Sequence, residues 1–233
     1  MILNNEEINL LFESELQNSL GQYGFEVNKG RIQRMTEAGL EAIYYDSVES
    51  IIDAKARLQY SACKRIDKVE TVWQEFYTKV YTVGVSFDKQ KIPTLAFNAA
   101  RIKDYEYGIS KRNWFQYIDR YIVDANEKGV LELSKQFVDI FKKYILPTFN
   151  LYNSESNLDR YINAKPETYW EVIHLTTGKG LLFKKIIASK MNKNPLYDQI
   201  CEFVLNFIKE RNDYQSQEDK EKHLLVLSEI MNC

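Results

Sequence analysis

The sequence predicts an α+β protein: a small antiparallel sheet in the N-terminal half and a predominantly helical C-terminal half. Three observations carry that reading. Short, strand-like apolar runs, broken by turn residues, occupy the chain from Tyr23 to Tyr45 and again from Tyr81 to Phe97. Beyond Ser110 the apolar residues recur at three- and four-residue spacing, the period of an amphipathic helix. Between these regimes, Leu40 to Val83 holds neither glycine nor proline, so nothing local punctuates it.

The elements follow in order. Asn5 to Leu20 reads as a helix with Ile8, Leu11, Phe12, Leu16 and Leu20 on one face, early glutamates at its positive end, and Gly21 and Gly24 at its exit. Tyr23–Val27 and Arg31–Met35 flank Asn28-Lys29-Gly30, a hairpin turn, and Leu40–Tyr45 supplies a third strand. From Ser47 to Lys79 the apolar residues Ile51, Leu58, Ala62, Ile66, Val69, Trp73 and Phe76 keep near a helical period. That pattern allows one very long helix, two helices broken near Arg65–Lys68, or a strand hidden around Ala56–Cys63. Tyr81–Phe87 and Ile92–Phe97 read as paired strands, with Pro93 placing the second at a sheet edge or strand start.

A helix capped by Ser110 then carries Trp114, Phe115, Ile118, Tyr121 and Ile122 and ends at Gly129. The next carries Val130, Phe137, Val138, Phe141, Tyr144 and Ile145 and stops at Pro147. Helices at Glu155–Ile162, Pro166–Thr177, Leu181–Met191, Pro195–Arg211 and Glu218–Met231 complete the chain. A joint near Ala99–Ser110 divides 1–100 from 101–233, which could also fold as one continuous domain, and Asn150–Lys165, rich in Asn and Ser, is another possible joint.

The chain has 233 residues, 45% of them hydrophobic and 27% charged, which suits a globular protein with a sizeable core. A formal charge of −2 gives no general pull toward nucleic acid. No apolar run approaches the roughly 20 residues of a membrane span, and the N-terminus has acid where a signal peptide needs base. Cys63, Cys201 and Cys233 are scattered, as reduced cysteines in a cytoplasmic protein would be.

Motifs with chemistry behind them are scarce. Thr176-Thr177-Gly178-Lys179-Gly180 suggests an anion loop, but Gly180 stands where a Walker sequence needs a hydroxyl residue, and a helix end explains the glycines better. Glu171 and His174 have the spacing of a di-iron helix, yet the second copy that such a site needs is missing, since Lys220 stands three residues before His223. Cys201 lies among Ile200, Phe203 and Val204, the setting of a buried, inert thiol.

Charge is more suggestive. Val172 to Tyr197 carries Lys179, Lys184, Lys185, Lys190 and Lys193 and no acid, while Met1 to Asn28 carries five glutamates and no base. Lys184 and Lys185 are expected to point outward from the apolar Leu182, Phe183, Ile186 and Ile187. Tyr105 and Tyr107 lie off the apolar stripe of the following helix.

The sequence therefore leads to a cytoplasmic, non-catalytic protein that binds another protein, with Lys179, Lys184, Lys185, Tyr105 and Tyr107 as candidate contacts. No catalytic residue, metal ligand or cofactor is assigned. Nucleic acid and membrane are disfavoured as partners. The rival reading is an enzyme or small-molecule binder with a site between sheet and helices.

Overall fold

The computed structural model describes residues 2–45, 49–51, 54–80, 93–97, 121–168, 180–211 and 216–233. The fold is α+β, with an antiparallel sheet built in the N-terminal half and helices dominating the C-terminal half. The chain forms two compact units, each assembled from two segments: residues 1–64 with 96–150, and residues 65–95 with 151–233. The chain passes from one unit to the other after Lys64, Leu95 and Asn150. Composition changes where element type changes, but the units are set by which apolar faces pack together.

In the first unit, α1 (Asn5–Leu20) forms as its spacing predicts and buries Ile8, Phe12, Leu16 and Leu20. Asn4 starts it with a capping box: its side chain accepts from the amides of Glu6 and Glu7, and Glu7 returns a bond to the Asn4 amide. A 3-10 turn over Gly21–Tyr23 ends in Gly24 at φ +77°, a conformation glycine reaches without strain.

The five-stranded sheet runs β1 (Glu26–Asn28), β2 (Arg31–Thr36), β3 (Gly39–Tyr45), β6 (Tyr60–Lys64) and β7 (Leu95–Phe97), in that spatial order. Asn28 pairs with Arg31 across Lys29-Gly30, both at positive φ, which is the two-residue turn whose twist matches paired strands. A second, three-stranded sheet places β4 (Glu49–Ile51), β5 (Lys55–Leu58) and β8 (Tyr121–Asp124) in that order. Both sheets are antiparallel wherever the register is defined.

Of the readings open for 47–79, strands occupy the first half, and the helix α2 (Asp67–Val80) begins only at Asp67. Tyr121 and Ile122, expected on a helix, lie on β8 instead. Gly129, expected to end a helix, sits in the first turn of α3 (Glu127–Ile140), which Asn126 caps by accepting from the Gly129 amide at 2.9 Å. The reason for glycine is spatial. A Cβ there would meet the Asp124 carbonyl oxygen at 2.1 Å, because the chain folds back over the end of β8. Gly129→Ala is expected to cost about 3 kcal/mol, since backbone on both sides must move. Urea unfolding would show it as a lower midpoint, and a midpoint equal to that of the parent protein would refute it.

Pro147 does not stop the helix that α3 begins. A π turn over Phe141–Ile145 joins α3 to α4 (Leu146–Leu151), which contains the proline. The wider turn lies where the proline ring would otherwise press on the preceding carbonyls, and the Thr148 hydroxyl donates to Tyr144 O at 2.7 Å. Phe12, Phe25, Phe137, Phe141 and Phe149 form the aromatic core of this unit, with edge-to-face contacts such as Phe25–Phe141 at 5.3 Å.

The second unit packs α2, α5 (Glu155–Ile162), α7 (Tyr197–Glu210) and α8 (Gln217–Asn232) with α6 (Gly180–Met191). Helix α6 is buried continuously from Leu181 to Ser189, so it is the core of the unit. Trp73 of α2 stacks on Phe183 of α6 at 4.8 Å. Residues 81–92 and most of 166–177 lie outside the described residues, and with them the strand expected at Tyr81–Phe87.

Candidate functional site

The lysine-rich segment is the first test of the sequence reading. Lys184 and Lys185 do not point outward: they are 5% and 0% exposed. The expectation assumed that α6 has a wet face, and it has none between Leu181 and Ser189. Lys184 Nζ lies 2.7 Å from Glu70 Oε1, itself buried, and donates to Pro93 O at 2.8 Å. Lys185 Nζ donates to Ile162 O and, at 2.7 Å, to Thr168 O.

Ile162 is the last residue of α5, so Lys185 places a cation on a carbonyl at a helix C-terminus. The device recurs. Lys190 donates to Met231 O at 2.9 Å at the end of α8, and Lys220 donates to Lys209 O and Arg211 O at the end of α7. In the first unit, Lys64 donates to Phe149 O near the end of α4. Of the two lysines of this segment that the structure describes as buried, Lys185 thus holds a helix end from within, whereas Lys184 is seated on Glu70 and Pro93 O.

A network beside them completes the packing. Asn163 donates to Asp159 Oδ1 at 2.6 Å and to Lys185 O at 2.8 Å, and Asn194 donates to Asp159 Oδ2 at 2.9 Å. Lys179, Tyr105, Tyr107, Glu171 and His174 lie outside the described residues.

The cysteines are free thiols. Cys201 is buried, as the sequence indicates, and burial raises its pKa. Burial pushes the Cys63 thiol up to about 11. At pH 8 only about one Cys63 in a thousand would be thiolate, so it is a poor nucleophile. Native protein treated with a disulfide reagent is expected to lose one thiol quickly, that of exposed Cys233, and the other two only on unfolding. Fast modification of two or three thiols in the native state would contradict this. Among the described residues, no group of three or more His, Cys, Asp and Glu could hold a metal ion, and no helix is long and apolar enough to cross a membrane.

What remains is surface. Two of the outer strands, β1 and β8, differ in how their edges are covered. At β1, Gln17 of α1 covers the backbone: its Oε1 accepts from Val27 N at 2.8 Å and its Nε2 donates to Phe25 O at 3.4 Å. A side chain thereby occupies groups that another strand would use.

At β8, one edge pairs with β5 in the register Lys55↔Asp124, Ala56↔Val123, Arg57↔Ile122 and Leu58↔Tyr121. Ala56 and Leu58 are fully buried, so Ile122, opposite Arg57, belongs to the other face and is 55% exposed. Among the described residues, no strand pairs with the outer edge of β8. Lys55 and Asp124 form an ion pair across β5 and β8, and this bond holds the Asp124 carboxyl below its usual range. Just past the strand, Leu3 N donates to Ala125 O at 2.8 Å, which brings Ile2, 66% exposed, beside the end of β8.

This edge was missed in the sequence. Its signal was the β-branched pair Ile122-Val123 just before the Asn126 cap, and the helical stripe drawn through Tyr121 and Ile122 obscured it. No protein-family model, curated protein or solved structure matches the chain.

Proposed function

We propose that the chain is a cytoplasmic, non-catalytic protein-binding module that takes an extended segment of another protein along the outer edge of β8. One observation carries the reading. β1 has its edge covered by Gln17, whereas β8 presents an edge without a described partner strand and with Ile122 standing 55% exposed. Backbone amides and carbonyls along such an edge give affinity to any extended chain, and side-chain contacts at alternate positions give selectivity. Ile122 and the nearby Ile2 supply apolar contact of that kind, and Arg57 and Lys55 line the same face of the sheet. Three free thiols suit a reducing compartment.

The test is Ile122→Lys, which sets a charge on the edge as natural edge strands do. The variant is expected to melt like the parent protein, because an exposed substitution usually changes stability by less than about 0.5 kcal/mol. Tagged parent protein should retain a partner from the extract of its own cells, and the variant should lose it. Equal recovery by both proteins would refute the edge as the binding surface, and a parent protein that retains nothing specific would refute the module.

A further inference from the structure

We draw no further inference here: the strongest candidate, the open groove of about 520 Å3 between α2 and α8 lined by Glu75, Phe76, Lys79, Glu229 and Cys233, carries nothing because its one reactive group is a lone exposed cysteine and nothing in the structure shows what covers it.

Discussion

Replacing Lys64 by methionine is expected to destabilise the first unit by about 3–5 kcal/mol, the usual cost of leaving one member of a buried ion pair behind. Register is the cause. Arg34 of β2 pairs with Glu41 of β3, and Glu41 pairs with Lys64 of β6, so three neighbouring strands carry one row of alternating charge. Arg34 Nε lies 2.7 Å from Glu41 Oε2, Lys64 Nζ holds Glu41 Oε1, and Lys64 also donates to Phe149 O at 2.8 Å. The side chains of Lys64 and Glu41 are 1% and 2% exposed, so water cannot replace a missing partner. Burial lowers the Lys64 pKa and Glu41 opposes that shift, so the ammonium depends on its carboxylate. Removing both charges, as in Glu41→Leu with Lys64→Met, should recover part of the stability lost by Lys64→Met alone, because no buried carboxylate is then stranded. Chemical denaturation of the single and double variants checks this. A double variant that loses the full sum of the two single losses would show that the row is not coupled.

That row was hidden in the sequence for a definite reason. Arg34 and Glu41 are seven residues apart and Glu41 and Lys64 twenty-three, and only the strand register brings them together. Where one local rule dominates, the sequence was readable. Helix α1 is fixed by its apolar stripe and its cap, and the first hairpin by Lys29-Gly30. Between Lys55 and Lys64 two rules compete for the same residues. Ala56, Leu58, Tyr60 and Ala62 alternate as a half-buried strand requires, while Leu58, Ala62 and Ile66 also fit a helical period. Pairing with β3 and β8 decides for strands, and that information is not local.

The same limit applies to Gly129 and Pro147. Each is a recognised helix breaker, yet one is needed for a close backbone approach and the other is accommodated by a π turn. Candidate-site residues were harder still. A lysine count locates charge along the chain, but whether an ammonium meets solvent or a helix end depends on the packing of distant segments. Ile122 became visible as a surface residue only once β8 had been placed against β5.

Reversing Lys184 and Lys185 to glutamate is expected to unfold the second unit rather than leave it intact. Each lysine donates to backbone carbonyls inside the unit: Pro93 O for Lys184, and Ile162 O with Thr168 O for Lys185. Lys184→Glu also sets a second carboxylate against Glu70, which is 0% exposed and whose Oε2 has no hydrogen-bond partner among the described residues. Repulsion and desolvation then act together. The milder Lys185→Met keeps an apolar stem of similar length and removes only the ammonium. It leaves two buried carbonyls unpaired, at about 1–3 kcal/mol each. Amide hydrogen exchange can localise the loss, which should fall on α5 and α6 before it reaches the sheet of the first unit. If the double glutamate variant keeps the parent's melting temperature and amide protection, the ammonium groups cannot be seated on these carbonyls. The outward-facing reading of the two lysines would then be restored, and with it their candidacy as contacts for a partner.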